Sequence, residues 1–457
     1  MIRVIFCCLC VFVYSRAEAD DSLRKKLGQM ILVGFIGPEV PDSLYIDLST
    51  RNLGGVILSG ANGNLTSPYQ IQQLTGQIRS DAQSPPFIAV DQEGGAVARL
   101  NGSNGFASTY TEYVLGTVFA SLDSTRKQAA LMTSWLSACG ININFAPVVD
   151  VNVNPSSPAI GYYGRSFSAD PMTVAAHAKV FIDQSHTASI MTTLKHFPGH
   201  GSARTDSHFT LPDITNTWTS GELIPYRELL TTNSVDVVMV GHLYNAHIDS
   251  VYPTSLSYPT IHGLLRDSLG YDGVVITDDL YNMAAITQYF GFWDAAEHAI
   301  NAGADILLYV SNTLNNASLA RQLIDSLESK VQRGLIAESR IDEAYTRITR
   351  LKNRYFVTGV AQPLASARNV PQEFELSNYP NPFNPTTTIR YGLPFQSRVN
   401  LAVFNTLGQQ VAVLQNGEQD AGYHEVRFDA VGLSSGVYFY RLQAETYVQT
   451  RKLLLLK

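Results

Sequence analysis

Gly273-Val274-Val275-Ile276-Thr277-Asp278-Asp279 is the stretch on which the fold turns. Apolar, mostly β-branched residues fill it, as in a strand buried on both faces, and two carboxylates end it. The form recurs. Eight short apolar runs span Met30 to Phe35, Gly55 to Leu58, Phe87 to Val90, Ile143 to Val149, Ile190 to Leu194, Asp236 to Val240, Val274 to Thr277 and Asp305 to Val310. Between them lie segments of helical period, among them Ser67 to Asp81, Ser124 to Ala138, Pro171 to Ser185, Ile261 to Ser268, Trp293 to Ala302 and Leu314 to Arg333. Repeated βα units build a parallel sheet, and eight of them close a (β/α)8 barrel, an α/β fold of TIM type. Polar residues stand at the run ends. Asp91 follows Val90, Asp150 follows Val149, Lys195 and His196 follow Leu194, His242 follows Val240 and Gly241, and Asp278 follows Thr277. Those ends form the rim where barrel enzymes place their chemistry.

Outside the barrel, residues 20 to 356, the texture changes. Residues 357–375 carry no long periodic pattern and read as a linker, and three prolines fall within Asn378 to Pro385, which excludes a helix there. Alternating runs follow at Thr386 to Tyr391, Val399 to Phe404, Gln410 to Leu414, His424 to Phe428, Val437 to Leu442 and Tyr447 to Leu456. Short strands with regular turns over residues 376–457 predict a small all-β sandwich. At the other end, Arg3, the apolar run Val4 to Tyr14 and the small residues around Ala17-Glu18-Ala19 read as an export signal over residues 1–19. That run is well short of the ~20 residues a spanning helix needs, so no transmembrane segment is expected in the mature chain.

The 457 residues are 45% hydrophobic and 16% charged, enough apolar material for a large core. Asp plus Glu number 39 against 32 for Lys plus Arg, and the resulting charge of −7 argues against nucleic acid as a partner. Cys7, Cys8 and Cys10 lie within the export signal, which leaves Cys139 alone in a mature chain and rules out a disulfide framework.

The densest polar cluster is Lys195 to Gly201 followed by Asp206-Ser207-His208. Pro198 and two glycines break the strand into a loop. In an extended Asp-x-His, residues i and i+2 project to one side, so Asp206 would hold the His208 imidazole and tune a proton donor near neutral pH. Asp278 is placed to act as a nucleophile toward an anomeric carbon, and Asp279 reads as the N-cap of a helix beginning at Leu280. Asp91, Arg99, Arg165, Lys195 and His196 suit a neutral sugar, held by carboxylate and guanidinium forks.

These residues stand in motifs: DQEGGAVARL at 91–100, GRSF at 164–167, KHFPGHG at 195–201, DSH at 206–208 and GYDGVVITDDL at 270–280. In content and order they resemble glycoside hydrolase family 3, in particular its single-barrel β-N-acetylglucosaminidases. The resemblance implies a retaining, two-step mechanism without metal or cofactor on a glycan bearing terminal β-linked GlcNAc. Asp278 would be the nucleophile and His208, paired with Asp206, the acid/base, while Asp91, Arg99, Arg165, Lys195 and His196 would bind the terminal sugar. The role of His242 stays open, as does phosphorolysis in the second step. The tail, with YPNPFNP at 379–385, the Leu407-Gly408 turn, GVYFY at 436–440 and the basic residues Arg451, Lys452 and Lys457, resembles a type IX secretion sorting domain. That implies the type IX machinery as a partner and release to the surface or medium of a Gram-negative bacterium. Two rival readings are a metal hydrolase using His196, His200, Asp206 and His208, and a glycan-binding protein on an inactive barrel.

Overall fold

The computed structural model describes residues 22–357 and, after them, 374–393, 395, 397–419, 422–444 and 447–456. The export signal of residues 1–19 and all but the ends of the 357–375 linker lie outside those residues. The chain divides into two compact units, residues 1–358 and 359–457.

In the first unit eight strands close into a barrel: β1 Ile31–Val33, β2 Gly55–Ile57, β3 Phe87–Val90, β4 Ile143–Asn144, β5 Met191–Phe197, β6 Val237–Val240, β7 Val274–Asp279 and β8 Ile306–Tyr309. Each strand pairs with the next in parallel, and β8 returns to β1 through Ile31 opposite Leu307. All eight apolar runs are barrel strands, the short second one included. Helices α1 Asp42–Thr50, α2 Pro68–Asp81, α3 Leu122–Ala138, α4 Pro171–His186, α5 Ile224–Leu230, α6 Phe292–Ala302, α7 Leu319–Gln332 and α8 Glu338–Lys352 join in, with a π-helical segment at Pro259–Ser268. Ser67 and Asp170 start α2 and α4 by accepting backbone N–H bonds, with Pro68 and Pro171 in the first turns. Strand and helix side chains merge into one core. Two runs change length. Ile143 to Val149 is a strand only as far as Asn144, because Pro147 has no N–H to give a ladder. β5 instead runs on to Phe197, so Lys195 and His196 lie within the strand.

Among the described residues of the second unit, seven strands form two antiparallel sheets. One holds β9 Glu375–Tyr379, β10 Thr386–Leu393 and β13 Gly422–Asp429; the other holds β11 Ser397–Phe404, β12 Gln410–Gln419, β14 Gly436–Ala444 and β15 Tyr447–Leu455. Strand β9 begins inside the expected linker, at Glu375. Tyr438, Tyr440, Leu442 and Ala444 are buried at every second position, and with Ile389, Val399 and Leu453 they belong to a separate core. Among the described residues no helix is long and apolar enough to cross a membrane.

Candidate active site

A cavity of about 340 Å³ lies at the C-terminal ends of the barrel strands. Asp91, Arg99, Arg165, Lys195, His196, Asp206, His208 and Asp278 all line it. They come from β5 and β7 and from the connections after β3, β4 and β5, so the closed barrel gathers residues nearly 190 positions apart. A larger hollow of about 650 Å³, bordered by Arg227, Asp272 and Arg350, contains none of them. Size does not select the site here; the strand ends do.

The centre of one wall is a carboxylate that the sequence reading passed over. Glu93 takes both Nε and Nη2 of Arg165 at 2.8 Å, and Lys195 Nζ lies 2.6 Å from its Oε1. Lys195 also donates to Asp91 Oδ1 at 2.8 Å. Burial works against charge on Glu93, but the two cations hold its carboxyl well below the usual carboxylate range. Burial works against the charge on Lys195, but Asp91 first and then Glu93 raise its pKa. His196 Nδ1 sits 2.7 Å from Asp150 Oδ2 and its Nε2 3.3 Å from Arg165 Nη2. The tautomer that satisfies both contacts donates from Nδ1 and accepts at Nε2. Asp150 Oδ1 further accepts the backbone N–H of His196 and of His200. Glu112, also unforeseen, accepts the Val148 N–H at 3.0 Å, and burial followed by the charge on Glu93 pushes its pKa far up. Arg99 has no side-chain hydrogen bond or ion pair among the described residues, which leaves its five donors for a ligand.

Asp206 and His208 meet as expected, but not on an extended chain. Residues 207–209 form a turn, and one carboxylate oxygen, Asp206 Oδ1, accepts the backbone N–H of His208 at 2.9 Å and lies 2.8 Å from its ring Nδ1. Aspartate readily folds its side chain over the backbone two residues on, which is why the turn wins over the strand. Nε2 is the ring nitrogen left over. The His208 side chain is 65% exposed and Asp206 14%. The hydrogen bond to Asp206, helped by the nearby charge of Asp278, raises the His208 pKa. The turn is tied to the segment after β7: the Ala284 and Ala285 N–H groups donate to the carbonyls of His208 and Ser207.

At the end of β7 the two carboxylates separate. Asp278 lines the cavity and, among the described residues, accepts only the Asp279 N–H, at 2.8 Å. Burial raises its pKa, yet His242, His196 and His208 together bring the net value below normal. Asp279 accepts N–H groups from Tyr281, Asn282 and, across the barrel seam, Val310. It caps a turn rather than the expected helix, since the next helix, Ala284–Thr287, starts four residues beyond Leu280. His242 is fully buried, between Ser255 Oγ at 2.7 Å and the Asp279 carbonyl at 3.1 Å. Burial lowers its pKa.

The groups named for a metal are engaged elsewhere. Asp150 holds His196, Asp206 holds His208, and His200 Nε2 faces Ser207 Oγ at 3.3 Å. Among the described residues no three His, Cys, Asp or Glu side chains are grouped to hold an ion.

Comparison with known proteins agrees with this architecture. Residues 22–351 match the family model of the glycosyl hydrolase family 3 N-terminal domain, and residues 377–456 that of the secretion system C-terminal sorting domain. Beta-hexosaminidase A of Pseudoalteromonas piscicida is 33% identical over 348 residues, covering 69% of this chain and 56% of that protein. Beta-hexosaminidase LpqI of Mycobacterium tuberculosis is 34% identical over 339 residues, covering 72% and 83%. The solved structure of a glycoside hydrolase family 3 beta-N-acetylglucosaminidase from Paenibacillus sp. str. FPU-7 aligns with a TM-score of 0.68 at 35% identity, over 74% of this chain and 63% of that one. The matched region thus spans little more than half of the first relative and under two thirds of the solved one. With the family model covering most of its length and a barrel of the same shape, this chain belongs to glycoside hydrolase family 3, and a secretion sorting domain follows its barrel.

Proposed function

We propose that this protein is an exported, retaining exo-β-N-acetylglucosaminidase that removes terminal GlcNAc from chitin- or peptidoglycan-derived glycans. One observation carries the reading: Asp278 and His208 line a single cavity and are biased in opposite senses, the carboxylate toward its ionised form and the imidazole toward its protonated form. At about 340 Å³ the cavity lies near the small end of the ~300–1,000 Å³ usual for ligand pockets, which suits one sugar ring at a chain end. In the first step an Asp278 oxygen bonds to C1 as the C1–O bond to the leaving group breaks, and His208 Nε2–H gives that oxygen its proton. In the second, neutral His208 takes a proton from water, whose oxygen displaces Asp278 from C1, and the anomeric configuration is retained. Asp206 orients the ring and stabilises the imidazolium. Asp91, Arg99, Arg165, Lys195 and His196 hold the terminal sugar, with Glu93 fixing Arg165 and Lys195. The names of the relatives, beta-hexosaminidase and beta-N-acetylglucosaminidase, support an amino sugar as substrate.

Nuclear magnetic resonance of the reaction with an aryl β-GlcNAc tests this. The first product is expected in the β configuration, as GlcNAc from water or as a glycosyl phosphate if added phosphate is the better acceptor. Asp278→Asn should abolish turnover, and near-normal activity in that variant would remove the nucleophile assignment. For export, the sorting domain supports passage through the type IX machinery to the surface or medium of a Gram-negative bacterium.

A further inference from the structure

We propose that Glu222 is the positioning residue for the loop that carries His208. The proposal rests on the reading of His208 as the acid/base and adds a residue outside the cavity lining. Glu222 belongs to a short 3-10 turn, Ser220–Leu223, in the connection from β5 to β6, and is 1% exposed. Its Oε2 accepts the backbone N–H of Gly201 at 3.1 Å and of Ser202 at 3.3 Å. Its Oε1 is buried and has no hydrogen-bond partner among the described residues. A carboxyl group is costly in such a place, and two loop N–H donors are what it gains there. Burial pushes its pKa up to about 7, with Asp150 adding to the rise and Ser202 and Gly201 opposing it.

The loop is clamped against this side chain. Gly199 has φ +128°, and a Cβ there would lie 2.7 Å from Glu222 Cβ. A Cβ on Gly201 would lie 1.7 Å from the Val151 carbonyl oxygen on the other side. The loop therefore runs between Glu222 and the Val151 backbone with no room for a side chain at either glycine. Asp150 holds the His200 N–H, and the indole of Trp218 donates to the Pro198 carbonyl at 3.0 Å. Five residues beyond Gly201 comes Asp206, and the far end is fastened by Ala284 and Ala285. Near the glycines, Glu222 is the side chain that binds two successive loop N–H groups. Removing it frees the end of the loop that sets where the Asp206–His208 turn begins.

A misplaced acid and a disturbed fold give different kinetics, because a very good leaving group needs no proton whereas a sugar alkoxide does. Full-length wild type, Glu222→Ala, Glu222→Gln and His208→Ala are compared by kcat/KM, which reports the first chemical step, on a dinitrophenyl β-GlcNAc and on a β-1,4-linked GlcNAc disaccharide. Glu222→Ala should lose roughly 10- to 100-fold on the disaccharide and less than about 3-fold on the activated substrate, a fraction of the ~10²–10⁴ that general acid catalysis supplies. Glu222→Gln keeps the shape and one acceptor oxygen and should recover part of the loss. Equal losses on both substrates, or no loss on either, would overturn the proposal. His208→Ala distinguishes the two ideas: a strong leaving-group dependence there with none in the Glu222 variants removes only the positioning role. Absence of that dependence in His208→Ala removes the acid/base reading and this proposal with it.

Discussion

Asp206 does two things with one oxygen. It fixes the turn through the His208 N–H and orients the ring through Nδ1. On the proposed mechanism the first step needs ionised Asp278 and protonated His208, so activity should fall as pH drops through the pKa of the first and as it rises through that of the second. The Asp206 bond raises the His208 pKa, which on that mechanism extends activity toward alkaline pH. Asp206→Asn removes the negative charge, and the alkaline limb of the kcat/KM profile should move to lower pH while the acid limb stays. An unmoved alkaline limb would show that His208 does not govern it. Glu93 carries a second prediction at this scale. Its loss leaves Arg165 and Lys195 in a buried wall without their shared carboxylate, and breaking a buried pair costs on the order of 3–5 kcal/mol. Glu93→Gln should lower the melting temperature and raise KM. Both residues lie in motifs readable from the chain, yet only Asp206 was singled out, because its partner is two positions away. The partners of Glu93 are 72 and 102 positions distant.

Strands decide what their terminal residues can reach. β7 runs through Asp278 and Asp279, so pleating sends the two side chains different ways: one to the cavity, one to N–H groups at positions 281, 282 and 310. The split itself is legible in the sequence; the choice of a turn and a neighbouring strand over a helix cap is not, since Val310 belongs to another βα unit. Asp279→Ala would strip acceptors from three N–H groups, and its cost should be about 1–3 kcal/mol, seen as a lower denaturation midpoint by circular dichroism. Asp279→Asn, which keeps one acceptor oxygen, should lie between the two. Equal stability of all three proteins would show that the cap is dispensable. The helix at 42–50 and strand β9 had no strong local pattern, the first for its polar face and the second for the prolines beside it.

At the scale of the whole molecule the two units have distinct hydrophobic cores, one built from residues up to Leu351 and one from Leu376 onward. Residues 22–357 alone should therefore fold and hydrolyse an aryl β-GlcNAc at near-normal kcat/KM, and loss of the melting transition on truncation would contradict this. If the sorting domain directs export as proposed, deletion of residues 374–457 should leave the protein inside the outer membrane of the producing cell, as fractionation and immunoblotting would show. By itself the sequence determined the number and order of the barrel strands, the rim on which polar residues gather, the pairing of Asp206 with His208, the divergence of Asp278 and Asp279 and the β-rich character of the tail. Those properties depend on local periodicity and on neighbours a few positions apart. Only the tertiary structure decided which rim residues share a wall, that Glu93 and Asp150 organise Arg165, Lys195 and His196, and that Glu222 reaches the loop. Such contacts depend on the closure of the barrel, which brings distant segments within hydrogen-bond length at positions no repeat in the chain encodes.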